Sequence, residues 1–253
     1  MKKTLIFFCL FLLYYSHALG MGEKPKATNN NTPIYNTVQE QILYTKDAYA
    51  QAQKQPTTTN ITAATFACQD LRTLFPNDNN EIVQTYFIEG KINLIQKNYA
   101  QANNLLSNFI QADQNSEFSE SQAEAYYLLG TIFMQDEKFN EAIENFEMVE
   151  NKFPTFSVNV IKAKQAKADC YQYLGNTLQS IQIMKKTIET HELQEYDLAY
   201  TYLKIGLSYQ KINKISQARL YFQKVLELPA TPQVNGPQKA ASFALEALDK
   251  QAP

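Results

Sequence analysis

The chain has 253 residues, of which 45% are hydrophobic and 19% charged, as in folded soluble proteins. Its formal net charge is −2, and Arg72 and Arg219 are its two arginines. A surface that is slightly acidic and poor in arginine lacks the basic footprint that nucleic acids require, and it offers no polybasic attraction to anionic lipid. The 7 glycines, 16 tyrosines and 15 phenylalanines favour helix-on-helix packing over a β-barrel.

Residues 1–20 are predicted to be a cleaved signal peptide. Two lysines precede an apolar run from Leu5 to Tyr15, which is too short for the ~20 residues of a membrane span but fits the ~7–15 residues of a secretory signal. Ala18 and Gly20 are small residues at signal-peptidase spacing, so cleavage is expected after Gly20, with cleavage after Ala18 as the second choice. The protein is therefore predicted to be exported, to the periplasm of a Gram-negative bacterium, and an uncleaved membrane anchor is the alternative.

Residues 21–37 are polar and lack an apolar period, which predicts a flexible leader. From Val38 onward the apolar residues recur at helical spacing, and the breaks are short and rich in Pro, Asn, Ser and Gly. The pattern predicts eleven helices, at 38–54, 61–75, 81–97, 99–112, 119–136, 139–153, 157–174, 176–190, 194–212, 215–228 and 236–249.

Small residues repeat along the helical region at a fixed spacing. A glycine is followed twelve residues later by an alanine three times, and Ala168 with Ser180 keeps the same spacing. Antiparallel helices approach closely only where side chains are small, and a single helix pair cannot bury its apolar face alone, so such pairs must stack. The glycine–alanine pairs are Gly90–Ala102, Gly130–Ala142 and Gly206–Ala218, and the second position recurs every 38 to 40 residues from Ala64 to Ala218.

The repeats place a stack of helix hairpins at residues 38–229, followed by a linker and a capping helix at 230–253. The last predicted helix has Ala241, Phe243, Ala244 and Leu248 at helical spacing. These four side chains are expected to cover the open end of the stack.

The repeat unit at residues 123–155 resembles a tetratricopeptide repeat. It has family residue types at family spacings, namely Tyr126, Leu129, Gly130, Phe133, Ala142, Phe146 and Pro154. The resemblance extends over roughly residues 45–230 and implies an all-α fold, a right-handed α-solenoid of about five helix hairpins plus a C-terminal capping helix. The repeat step exceeds the family's usual ~34 residues, which is typical of envelope members such as the assembly lipoprotein BamD and the Tol-Pal coordinator proteins. The chain differs from both, because it lacks a lipidation cysteine at the cleavage site and an N-terminal coiled coil.

In this family the first helix of each hairpin lines a concave face that binds partners. The family register predicts that partner groove from twelve residues: Phe87, Lys91, Leu94, Tyr127, Thr131, Met134, Gln165, Asp169, Tyr173, Tyr200, Leu203 and Leu207. Such a mixture of aromatic and polar groups is typical of interfaces, although some of these rings could equally belong to the core. The positions of the family's carboxylate clamp hold Phe87, Tyr127, Gln165 and Leu203, so that clamp is not expected here.

The chain shows no catalytic motif, metal site or cofactor site. After signal cleavage, His191 is the one remaining histidine, and its polar surroundings near a helix end indicate a capping or solvated residue. Cys68 and Cys170 lie more than two repeats apart, so they are expected to be small buried residues without a disulfide. The protein is therefore predicted not to be an enzyme.

These observations predict an exported scaffold that binds a peptide or a partner domain on the concave face. The alternative is a structural component of an envelope assembly or cell-division complex that acts through its convex face or its termini. The sequence leaves the identity of the partner and the oligomeric state open.

Overall fold

The computed structural model describes residues 26–27, 33–77, 79–113 and 117–250, so the predicted signal peptide lies outside the described residues. The regular secondary structure of the described part is helical except for two strands, β1 (Lys26–Ala27) and β2 (Pro33–Ile34). They pair antiparallel, with Lys26 opposite Ile34. This pairing falls within the predicted flexible leader. Strands of two residues are too short to produce an alternating pattern in the sequence, which explains why none was predicted.

Eleven helices follow within the described residues, and their number and order confirm the all-α prediction. Predicted and observed ends agree to within three residues, and the largest difference is the start of the second helix. The side chain of Thr57 caps that helix by accepting a hydrogen bond from the Asn60 amide at 3.2 Å. The helix therefore begins at Thr58, three residues earlier than predicted. The helices are α1 (Val38–Lys54), α2 (Thr58–Leu74), α3 (Asn79–Ile95), α4 (Tyr99–Ala112), α5 (Ser119–Gln135), α6 (Phe139–Lys152), α7 (Ser157–Tyr173), α8 (Thr177–Thr190), α9 (Glu195–Lys211), α10 (Ile215–Leu226) and α11 (Asn235–Lys250).

The helices form two compact units that divide between Lys97 and Asn98. In the first unit α1, α2 and α3 all contact one another. Their shared core includes the fully buried Ala64, Leu71 and Ile92.

The second unit contains α4 to α11, in which each helix contacts the next along the chain. Contacts also join alternate helices, α5 with α7 and α9 with α11. Adjacent antiparallel hairpins are therefore stacked, as the repeat pattern predicts.

The glycines of α5 and α9 are required by phenylalanine rings of the following helices. A Cβ built on Gly130 would lie 2.5 Å from Cε1 of Phe146, and one on Gly206 would lie 2.5 Å from Cε1 of Phe222. Both rings are fully buried. The predicted small-residue crossing therefore exists in these two hairpins, and the ring one turn beyond the alanine fills it.

The predicted crossing alanines Ala142 and Ala218 are fully buried in the core clusters of these two hairpins. Ala102 is also fully buried, in α4 of the second unit. Its predicted partner Gly90 is buried in the first unit.

In the hairpins α5–α6, α7–α8 and α9–α10, the turn that joins the two helices contains a residue with positive φ. Glu137 has φ of 58°, and the following amide of Lys138 donates to the Phe133 carbonyl at 2.9 Å, which closes a Schellman motif. The equivalent left-handed residues are Gly175 and Asn213, and Lys97 at the end of the first unit also has a positive φ.

The connection between α4 and α5 is organised by the buried carboxylate of Asp113. Its oxygens accept hydrogen bonds from the amides of Glu117 at 2.9 Å and Phe118 at 3.0 Å, and from Gln122 Nε2 at 2.9 Å. These bonds satisfy amides just before the first turn of α5, where the sequence showed only a polar break.

The last helix departs from its prediction at one residue. Ala241 and Leu248 are buried as expected, but 71% of the Phe243 side chain is exposed. Helical residues advance by about 100° each, so Phe243 lies roughly 200° around α11 from Ala241 and faces solvent. The prediction that Phe243 covers the end of the stack is therefore wrong.

Candidate functional site

The twelve predicted groove residues lie on the helices expected of them, and none is fully buried. Tyr173 and Leu207 are exposed, at 68% and 44%, and the other ten are half-buried. Three lie on α3 in the first unit, and the remaining nine lie on α5, α7 and α9 in the second.

On α3 the predicted residues form a cation–π contact. The ammonium of Lys91 lies 4.8 Å from the ring centroid of Phe87 and 5.3 Å from that of Tyr49 on α1. This group links α1 to α3 within the first unit.

In the second unit, three of the predicted residues contribute mainly to packing. Tyr127 and Met134 pack against the core cluster around Phe146, and Leu203 packs against the cluster around Phe222. The alternative that some groove positions are core residues therefore applies to these three.

The hydroxyl end of Tyr127 has a polar environment. Burial raises its pKa above the ordinary value, and the negative charge of Asp169 and the neighbouring Tyr200 add to the shift. Residues of α5, α7 and α9 thus influence one another on one side of the unit.

A ladder of side-chain hydrogen bonds joins α7 to α9. Gln165 Nε2 donates to Thr201 Oγ1 at 3.0 Å, and Lys204 Nζ donates to Asp169 Oδ1 at 2.7 Å. The remaining contacts are from Gln172 Nε2 to Ser208 Oγ, and from Lys211 Nζ to the Gln172 carbonyl at 3.2 Å. Side chains, and not close backbone approach, therefore hold these two helices together.

Lys204 is the central cation of the ladder. Burial lowers its pKa, but the hydrogen bond and charge of Asp169, with a further contribution from Tyr200, outweigh burial and raise the pKa above its ordinary value. Its ammonium also lies 5.2 Å from the Tyr200 ring centroid. Lys204 is accordingly protonated throughout the physiological pH range.

Between α7 and α9 the ladder leaves a cleft of about 190 Å³, and we call it the α7–α9 cleft. The ring of Tyr173, which lines this cleft, stacks on the ring of Phe139 with 4.9 Å between the ring centroids. The cleft is lined by Asp169, Gln172, Tyr173, Lys204, Leu207, Ser208 and Lys211.

The register of the tetratricopeptide family predicted Asp169, Tyr173 and Leu207 as groove residues. It missed the other four residues that line the cleft, namely Gln172, Lys204, Ser208 and Lys211. Gln172 was within reach of sequence reasoning, because it follows Ala168 by the four residues that separate Met134 from Gly130. The polar residues of α9 gave a weaker signal, a helical spacing of 201, 204, 208 and 211.

A second cavity of about 560 Å³ lies at the turn between α7 and α8, next to Ile212 at the end of α9. Leu178 lines it and is 62% exposed. Tyr171 is the one titratable residue among the described residues that line it.

His191 is the one histidine among the described residues. His191 is the C-cap of α8, its amide donates to the Thr187 carbonyl, and its Nδ1 lies 2.8 Å from the Thr190 hydroxyl. The capping interpretation of His191 is therefore confirmed. Within the described part of the chain, no group of three His, Cys, Asp or Glu residues could hold a metal ion.

Cys68 and Cys170, the two cysteines among the described residues, are buried and are not in a disulfide. Burial is the main cause that raises the pKa of each thiol to about 12. Thiols that stay protonated at neutral pH are poor nucleophiles.

None of the described helices combines the length and the hydrophobicity required to cross a bilayer.

Two segments match family models described as tetratricopeptide repeat, residues 123–148 in α5–α6 and residues 200–229 in α9–α10. These are the hairpins with the glycine–phenylalanine crossing. No curated protein matches the chain.

Solved structures with a similar fold include three at low sequence identity. A MamA protein is 22% identical with a TM-score of 0.56, over 77% of this chain and 100% of that one. A kinesin light chain-like protein from Podospora anserina with nearly identical TPR-like repeats is 12% identical with a TM-score of 0.59, over 81% and 97%. The quorum sensor NprR from Bacillus thuringiensis is 15% identical with a TM-score of 0.65, over 97% and 68%. At these identities the likeness shows the fold alone, which is that of tetratricopeptide-repeat α-solenoids.

Proposed function

We propose that this protein is an exported scaffold that binds a peptide or partner protein on the face formed by α5, α7 and α9. The single observation that supports this most is the α7–α9 cleft, where exposed Tyr173 and Leu207 flank a set of polar side chains. Exposed aromatic and aliphatic side chains beside hydrogen-bonding groups are the composition of protein interfaces. Stacked helices supply a rigid surface that loses little entropy on binding.

Photo-crosslinking in intact cells tests the proposal. A photoreactive phenylalanine at position 173 should capture a partner, and adding Leu207→Ser should abolish that capture. Leu220 on α10 is the matched control, because it is 50% exposed and does not line the cleft. Equal capture with Leu207→Ser and Leu220→Ser would contradict binding on this face.

Export is part of the proposal and has its own test. Mass spectrometry of the protein isolated from cells should give Met21 as the mature N-terminus. An intact N-terminus that remains with the membrane fraction would favour the uncleaved anchor. The proposed compartment rests on the N-terminal signal pattern and on analogy with the envelope proteins BamD and the Tol-Pal coordinators.

A second candidate function is a structural role in an envelope assembly through the C-terminal end. Exposed Phe243 on α11 favours it, since an apolar ring on the outside of a terminal helix is available to a partner. Phe243→Ser should leave the unfolding midpoint unchanged and prevent complex formation if this role holds. Under the first proposal, Phe243→Ser should leave capture from position 173 intact.

A further inference from the structure

The α7–α9 cleft has an excess of positive charge in a chain that is acidic overall. Lys204 and Lys211 line it, and Asp169 is its one carboxylate. Lys204 is paired with Asp169 at 2.7 Å. The second ammonium, that of Lys211, donates to the Gln172 carbonyl at 3.2 Å.

Hydrogen-bond donors of the cleft exceed those used within it. An ammonium has three donors, and the carbonyl of Gln172 takes one from Lys211. The carboxamide of Gln172 has two N–H groups, and Ser208 accepts one of them. Donors of this kind bind a carboxylate with short, charge-assisted hydrogen bonds.

The size of the cleft limits what can enter. Its volume of about 190 Å³ is small beside the ~300–1,000 Å³ of typical ligand pockets and suits one side chain. Tyr173 and Leu207 provide apolar surface at its edge for the methylene groups of that side chain.

We propose that the α7–α9 cleft binds an acidic side chain of an extended partner peptide, with Lys211 and Gln172 as donors to its carboxylate. This inference rests on the proposed function and names the chemistry of the partner. A basic side chain would meet two ammonium groups, and a neutral side chain would leave the charge of Lys211 unmatched.

Binding of three short peptides to the full mature protein tests the inference. The probes are acetylated, amidated pentapeptides of alanine with Glu, Gln or Lys at the centre, followed by amide chemical shifts. The Glu peptide should bind about threefold or more tightly than the Gln peptide, as expected of one partly exposed ion pair, and it should shift Gln172, Ser208 and Lys211. Equal affinity of the Glu and Gln peptides, or shifts confined to other helices, would overturn the inference.

Two variants with opposite expected effects separate recognition from mere structural support. Lys211→Gln should reduce the preference for Glu to near unity, whereas Asp169→Asn should strengthen binding of the Glu peptide by removing the competing carboxylate. Lys214→Gln is the control, because Lys214 is exposed and does not line the cleft. If both cleft variants change binding in the same direction, the inference fails.

One result would overturn this inference without overturning the proposed function. Capture from position 173 without any preference for Glu would overturn the inference and leave the binding face intact. Loss of both results would remove the proposed function as well.

Discussion

The hairpins α5–α6 and α7–α8 have the same dimensions but close in different ways. Each pairs a helix of 17 residues with one of 14. In α5–α6 the crossing combines Gly130 with the Phe146 ring, and in α7–α8 the equivalent positions hold Ala168 and Met184, both buried in one cluster. The methyl group of Ala168 thus occupies the position that is open at Gly130, and the flexible thioether of Met184 takes the place of the rigid Phe146 ring. The crossing is determined by both positions jointly, so a small residue alone does not define it.

The same two hairpins also differ in the charge of their side chains. Hairpin α5–α6 has eight acidic and two basic side chains, whereas α7–α8 has two acidic and five basic ones. Lys167 of α7 pairs with Glu150 of α6 at 2.5 Å and with Glu147 at 3.6 Å. The hairpin α7–α8 is therefore joined to α6 through ion pairs and to α9 through the polar ladder.

The largest expected difference in stability between the two hairpins comes from truncating the large side chain at each crossing. Phe146→Ala should lower the free energy of unfolding by about 3–5 kcal/mol, because it removes a fully buried ring. Met184→Ala should cost less, about 2–3 kcal/mol, since the smaller side chain leaves a smaller cavity. Urea unfolding monitored by circular dichroism measures both. A larger loss for Met184→Ala would show that the α7–α8 crossing is the tighter one.

Gly130→Ala should destabilise the protein by up to about 2 kcal/mol. The added methyl overlaps the buried Phe146 ring, and this cost of about 1–3 kcal/mol exceeds the gain of about 1 kcal/mol in helix propensity. The double variant with Phe146→Met reproduces the α7–α8 arrangement and should be more stable than the sum of the two single changes. Strict additivity in urea unfolding would show that the two positions are independent.

The turns of the two hairpins allow a smaller, reciprocal test. Gly175→Ala should cost about 1 kcal/mol, because its φ of 81° lies in the left-handed region, while no steric contact opposes the new methyl. Glu137→Gly should stabilise the other turn by a few tenths of a kcal/mol, since the relief of its φ of 58° is partly offset by backbone entropy. Thermal unfolding of the two variants should therefore shift in opposite directions.

The smallest expected effect is on the pH dependence of stability, and it involves His191 at the end of the basic hairpin α7–α8. Burial and then the charge of Lys164 lower the pKa of His191 below its ordinary value of 6.5. A pKa that is lower in the folded state means that the unfolded state binds protons first, so stability falls as the pH drops through 6.5 towards the folded-state pKa. His191→Gln should remove a small part of the stability difference between pH 7.5 and pH 5, measured by urea midpoints. An unchanged difference would show that His191 does not contribute.

Local patterns accounted for nearly all of the secondary structure. The start of α2 was misplaced by three residues because the cap at Thr57 is a local hydrogen bond and not part of the apolar period. Phe243 was assigned to the wrong side of α11, because helical spacing shows which residues share a face but not which of two apolar faces is covered. The groove positions on α5, α7 and α9 were placed on the right helices, yet three of them pack mainly against the core.

The sequence by itself determined the helices and, within the second unit, their pairing into hairpins, since apolar period, small residues and turns all act between residues close in the chain. Only the tertiary structure decided which polar groups meet between α7 and α9. Equivalent residues of these two helices lie 38 positions apart, but Gln165 bonds to Thr201 and Gln172 to Ser208, each 36 positions on. That stagger of two residues depends on how the hairpins pack together, and no pattern within either helix specifies it.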